Sequence, residues 1–121
     1  MQTLVIGDLH IEVRDGADSP TVQLVWTGKC NTRHISEALA PYFREALAAA
    51  SARNLPLELR LEQVEQLGSP AVASIIELIS ASRARSIKLT LVYDRAREWQ
   101  RLSFDALRVV ARDQLVEVRA A

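Results

Sequence analysis

One cysteine, two histidines and four glycines in 121 residues exclude several kinds of chemistry. A single cysteine cannot form an internal disulfide and fits a reducing compartment, so a cytoplasmic location is expected. No group of histidines and cysteines has metal-ligand spacing, and the glycines are too scattered for a phosphate loop or a dinucleotide fingerprint. Neither metal nor cofactor is expected. Charge of one sign is also missing: 15 basic residues face 15 acidic ones. That balance argues against nucleic acid or an anionic membrane as the main partner, since both favour a basic excess. No apolar run approaches the ~20 residues a membrane-spanning helix needs. The opening MQTLVIGDLHIEV lacks the basic start and long apolar core of a signal peptide.

What is present is the profile of a folded protein, 49% apolar and 25% charged, at a length that fits one domain and one core. The chain is organised around LELRLEQVEQLGSPAVASIIELIS, Leu57 to Ser80. Leu57, Leu59 and Leu61 alternate with Glu58 and Arg60, the period of a strand. Beyond a Gly68-Ser69-Pro70 joint, Val72, Ile75, Ile76 and Ile79 recur at i, i+3, i+4 and i+7, one face of a helix. Gly68 permits a sharp turn, Ser69 suits the N-cap, and Pro70 suits the first helical position. Unpaired amides and the positive end of a helix dipole are thus expected to meet at Ser69.

Before this stretch, Met1 to Ile6 reads as a loose start or a small edge strand. Leu9, Ile11 and Val13 alternate with His10, Glu12 and Arg14. After the turn formers DGADSP, alternation resumes in Val22, Leu24 and Trp26, predicting an antiparallel hairpin that Gly28 ends. A helix follows, with Ile35, Leu39, Tyr42, Phe43, Ala46 and Leu47 on one face; Pro41 predicts a kink or a restart, and Asn54 with Pro56 predicts its stop. Beyond the central helix, whose SASRARS tail is basic, Ile87 to Tyr93 is strand-like. The next segment is helical, with Trp99, Leu102, Ala106, Leu107 and Val110 along one side, and Leu115 to Val118 is a short closing strand.

The predicted order is β-β-α-β-α-β-α-β, an α/β domain. A strand-helix-strand crossover from Leu57 to Tyr93 is parallel and right-handed, so a mixed sheet of four to five strands is expected. Three helices cover mainly one face, which leaves the other partly open.

On these residues the chain resembles the STAS domain of anti-sigma factor antagonists. The family pattern is a hydrophobic strand, Asp-Ser-Ser/Thr-Gly, then a helix rich in Leu and Gly, and LELRLEQVEQLGSPAVASIIELI lies on it without a gap. The Trp26-Thr27-Gly28 step, the strand IKLTLVYD and the helix ending LSFDAL are similar to further family elements, so the resemblance spans about residues 9–118. It implies a STAS-like fold and a non-enzymatic regulator that exchanges partners in a bacterial-type signalling system controlling transcription. The implied partner is a serine kinase related to anti-sigma factors, with room for a phosphatase. Gly68, Ser69, Pro70 and Ala71 become the implied docking surface, and Ser69 aligns with the serine that the kinase phosphorylates. The motif departs from the family where Gly68 replaces Asp, and where Pro70 and Ala71 replace the second hydroxyl residue and the glycine.

Each candidate has a plainer counterpart. Ser69 is either a phospho-acceptor or only a helix cap worth about 1 kcal/mol. Cys30 and His34, four apart, could share a helical face as a thiol-imidazole pair, but no orienting carboxylate or oxyanion motif accompanies them, and an idle cysteine is the simpler reading. Ser69 lacks the G-x-S-x-G elbow, so a small Cys- or Ser-dependent enzyme is the weakest expectation. His10 reads as solvated, Trp26 and Trp99 with Phe43 and Phe104 as core, and Arg83, Arg85 and Lys88 as a solvated helix end. A scaffold that docks or oligomerises without phosphorylation, through an open sheet face, is a further reading, and homodimer formation stays open.

Overall fold

A computed structural model describes residues 1–111 and 113–121, with the side chain of Val110 also outside the description. The elements are β1 (Leu4–Ile6), β2 (Leu9–Arg14), β3 (Val22–Cys30), α1 (Ile35–Arg53), β4 (Leu57–Leu67), α2 (Ser69–Ala84), β5 (Leu89–Tyr93), α3 (Glu98–Val110) and β6 (Val116–Ala120). The six strands lie in one sheet in chain order. β1, β2 and β3 are antiparallel, and β3 to β6 are parallel. This is one strand more than the upper expectation, because Met1–Ile6 supplies a short edge strand around the turn at Gly7, whose φ is +57°.

Three successive right-handed crossovers that step the same way across the sheet put α1, α2 and α3 on one face. Leu9, Ile11, Leu24, Trp26, Leu57, Leu59, Leu61, Leu89, Leu91, Val116 and Val118 point into that layer and are buried. The other face carries His10, Glu12, Arg14, Gln23, Arg60, Glu117 and Arg119 around the apolar Val25 and Val92, with the exposed Val5 beside His10 at its edge. Glu58, also on this face and only 9% exposed, accepts from Gln23 Nε2 at 2.6 Å and meets Arg60 at 3.5 Å and Arg119 at 3.4 Å.

The face expected for α1 is buried throughout, joined by Ala50. Pro41 neither ends nor restarts this helix, which runs unbroken from Ile35 to Arg53 with the proline ring exposed. Asn54 does stop it, in the left-handed conformation at φ 53°, while the Leu55 amide donates to Ala50 O at 2.9 Å. Two other expectations shift. The antiparallel pairing of the hairpin does end at Gly28, opposite Leu9, but the strand does not: β3 runs on to Cys30 against β4 alone, because the glycine's φ of +94° lets it bulge against Asp8 and resume. β5 begins at Leu89, since Ile87 is spent on the end of α2, donating to Ser82 O at 2.9 Å.

The outer helices sit differently from their apolar patterns. In α2 the buried positions are Ala71, Ser74, Ile75, Leu78, Ile79 and Ser82, whereas Ile76 is 47% exposed and Val72 half-buried. Ser74 and Ser82 can be buried because each hydroxyl donates to a carbonyl of its own helix, Pro70 O at 3.1 Å and Ile79 O at 2.9 Å. In α3 the buried residues are Gln100, Phe104 and, just past its end, Ala111, with Leu107 half-buried. Leu102 and Ala106 face outward, and Trp99 is half-buried against Phe104, ring centroids 6.2 Å apart. The reason is Gln100: its amide is needed inward, which rotates the helix away from the most apolar stripe.

Candidate functional site at the β4–α2 joint

The joint between β4 and α2 lies at the carboxyl end of the parallel strands. Gly68, not Ser69, is the N-cap of α2: its φ of −73° and ψ of 161° are extended, and helical geometry starts at Ser69. Ser69 is therefore the first helical residue and Pro70 the second, one place later than expected. Among the described residues no side chain caps the helix. Gly68 is fixed from the other side, its amide donating to Cys30 O at 2.8 Å. A Cβ on Gly68 would stand 3.3 Å from that same oxygen, a tight fit for any other residue.

This geometry also decides what happened to the first-turn amides. Gly68 N–H is used by Cys30, Pro70 has none, and Ala71 N–H turns back to Gly68 O at 3.1 Å. Ser69 N–H is the donor left without an acceptor among the described residues. The expected cluster of free amides is thus reduced to one, and the positive helix end offers an anion less than a typical N-terminus does. Ser69 and Pro70 are exposed, Gly68 is half-buried, and Ala71 is fully buried beneath the helix. Of the four residues, only the first three form surface.

Beside the joint is an open depression of about 520 Å³, lined by Asn31, Glu65, Gln66, Leu67, Gly68, Trp99 and Ser103. Asn31 Nδ2 donates to Gln66 Oε1 at 3.0 Å across the ends of β3 and β4. The contributions of Asn31, Gln66 and Ser103 escaped the sequence analysis, because single polar residues carry no spacing signal. Gln100 escaped it as well: it is the one polar residue on the stripe 100, 104, 107, 111, but that this stripe is the buried one is decided by the fold.

The remaining candidates separate. Cys30 lies at the end of β3, 2% exposed, and His34 is the exposed N-cap residue of α1, 3.8 Å from Glu37. They share no helical face, since one is in a strand and the other begins a helix. Burial pushes the Cys30 thiol above its usual range, with a weaker opposing effect from the Thr32 backbone. His10 is exposed, as expected. Trp26 is wholly buried against Phe43. The indole N–H groups of Trp26 and Trp99 have no acceptor among the described residues.

The basic group at the end of α2 is not wholly solvated. Arg83 pairs with Asp113 at 2.5 Å and donates to Ala111 O at 2.9 Å, which ties α2 to the loop after α3. Among the described residues no three His, Cys, Asp or Glu side chains are grouped to hold a metal ion. On the open sheet face a trough of about 360 Å³ is lined by Glu12, Arg14, Gln23, Val25, Thr27, Arg60, Glu62 and Gln63. Its charges pair among themselves, Arg60 with Glu62 at 2.7 Å and Arg14 with Glu12 at 3.7 Å. No helix among the described residues is long and apolar enough to cross a membrane.

No family model and no curated protein matches the chain. Among solved structures it is similar to an uncharacterised protein of the DUF3478 family with a SpoIIAA-like fold from Shewanella loihica PV-4. The two are 14% identical and superpose with a TM-score of 0.58, over 98% of this chain and 88% of the other. At that identity the likeness concerns backbone architecture alone: this chain has a SpoIIAA-like α/β fold.

Proposed function

We propose that the chain is a non-enzymatic regulatory domain of the STAS, anti-sigma factor antagonist type. It docks a protein partner, a serine kinase of the anti-sigma kind, through Gly68, Ser69 and Pro70, with the buried Ala71 setting the turn beneath them. One observation carries this reading: the Ser69 hydroxyl stands exposed on the first turn of α2, at a joint whose backbone is pinned to the end of β3. A phosphate there would add nearly two negative charges at a helix N-terminus, beside the free Ser69 amide. It would change the surface a partner meets without disturbing the core. The proposed setting is the cytoplasm, with a protein rather than nucleic acid or membrane as the partner.

A second reading, docking without a phosphorylation cycle, is favoured by the same turn. Proline at the second helical position and the inward-turned Ala71 amide leave one donor where a phosphate would use several. A scaffold assembling through its open sheet face has less support, because that face is laced with paired charges. A Cys- or Ser-dependent enzyme has least, since no base lies within hydrogen-bond reach of Cys30 or Ser69 among the described contacts.

The experiment is capture from the native cell with wild type, Ser69→Ala and Ser69→Asp, read by mass spectrometry. Partner switching expects a kinase-like protein on wild type and Ala, its loss on Asp, and phosphate on part of the wild-type Ser69. An unmodified Ser69 and the same capture by all three variants would select docking without the switch. Equal failure of all three to capture a protein would overturn both.

A further inference from the structure

The far half of β4 is a strand with one strand neighbour. β3 pairs with it from Leu57 to Leu67, but β5 pairs only from Leu57 to Arg60. Beyond Arg60 its outward carbonyls face the start of α3 instead. Gln100, fully buried, donates through Nε2 to Leu61 O at 2.8 Å and to Val64 O at 2.9 Å. Its Oε1 accepts the Asp94 amide at 2.8 Å. Arg97 Nε donates to Glu62 O at 2.9 Å. Of the two carbonyls held by Gln100, Leu61 O lies within the stretch where the β3–β4 register slips between Val25↔Arg60 and Thr27↔Gln63, and Val64 O lies just beyond it. One carboxamide therefore takes over the work of a missing strand, and its own donors and acceptor are satisfied in doing so.

We propose that Gln100 is the positioning residue of the joint. It couples the first turns of α3 to the end of β4, so that Gly68–Ser69 and the turn carrying Trp99 and Ser103 hold and open as one unit. The path from this link to the joint is short: β4 runs without a break from Val64 to Leu67, and Gly68 follows it directly. Without Gln100, two buried carbonyls lose their partners together, and the cheapest relief is local, a swing of residues 61–68 away from α3 that lets water in. Among the described residues Gln100 makes no hydrogen bond to β2, β3 or α1. This coupling rests on the docking role only for its biological use; as a mechanical statement it is independent of that role.

The test is hydrogen–deuterium exchange on the full chain, comparing wild type with Gln100→Met, which keeps length and removes every hydrogen bond. Ile79→Val, a small core deletion in α2, sets the scale for a general loss of stability. For Gln100→Met, amides of Gln63–Gly68 are expected to exchange about tenfold faster relative to those of Leu9–Val13. Ile79→Val is expected to leave that ratio near wild type. Arg97→Ala, which removes the Glu62 contact and a 4.0 Å ion pair with Asp94 but leaves the Gln100 bonds in place, should move the same amides by a smaller factor, and it carries the test if Gln100→Met does not fold. Uniform acceleration over both regions, or no change at Gln63–Gly68 in either variant, overturns the proposal. Loss of partner capture by Ser69→Asp with normal exchange would concern the docking reading alone.

Discussion

A Cβ placed on Gly28 would stand 1.9 Å from the carbonyl oxygen of Asp8, closer than any side-chain carbon can approach a backbone. Gly28 also holds φ +94°, a conformation that side chains resist. Both constraints act where β3 bulges against the β1–β2 turn, on the way to Cys30 and the joint. Gly28→Ala is expected to lower stability by about 3 kcal/mol, since the Asp8 backbone must move. Urea unfolding measures it, and a loss below about 1 kcal/mol would mean that the bulge is pliable.

Cys30 is expected to react slowly with thiol reagents. It is 2% exposed and its thiol is pushed above the usual range by burial, so little thiolate is present and little of it is reachable. Labelling with Ellman's reagent at pH 8 should be slow in the native protein and rapid in denaturant. Rapid native labelling would show the end of β3 to be open, and would revive a chemical role for the thiol.

Tyr42 gives an alkaline limit. Burial, then the nearby charges of Glu45 and Asp15, push its phenol up to about 12, and its hydroxyl donates to Gln2 O at 2.9 Å. The folded protein holds this proton more tightly than the unfolded chain, whose tyrosines titrate near ~10. The contribution is therefore complete below about pH 10 and is lost as pH rises towards about 12. Phenolate absorbance should lag behind that of denatured protein across this window. In Tyr42→Phe the alkaline loss of stability should be shallower, and an unchanged slope would contradict the assignment.

Asp113 gives an acid limit. The amides of Leu115 and Val116 hold its carboxyl below the ordinary range, and Arg83 adds to this. Because the folded value is the lower one, the stabilisation is present above about pH 4, the unfolded carboxylate value, and fades as pH falls through the folded value. The stability gap between wild type and Asp113→Ala should narrow on acidification from pH 5 to below about pH 3. A gap independent of pH would mean that the loop relies on shape rather than charge.

Much of this protein is legible in one dimension. Alternation in Leu9–Val13, Val22–Trp26 and Leu57–Leu61, and the stripe from Ile35 to Leu47, mark elements that bury one side against a single layer. There the local period and the tertiary demand agree, so the α/β order, the parallel crossover and the position of the joint follow from the residues. Asn54 as a stop belongs to the same class, because a left-handed residue after a helix is a local matter.

Tertiary structure decided what depends on partners distant in the chain. Apolar periodicity chose Leu102 and Ala106 for the inner side of α3, but the unpaired carbonyls of Leu61 and Val64 chose Gln100, because a buried acceptor without a donor costs more than an exposed leucine. Ser69 looked like the cap until Cys30 O took the Gly68 amide and moved the helix start by one residue. Cys30 and His34 looked like neighbours until Gly28 carried β3 onward and left one in a strand, the other at a helix start. A sequence states which side chains prefer burial. Only the folded chain shows which backbone groups still lack a partner, and in this protein those groups set the final position of the site.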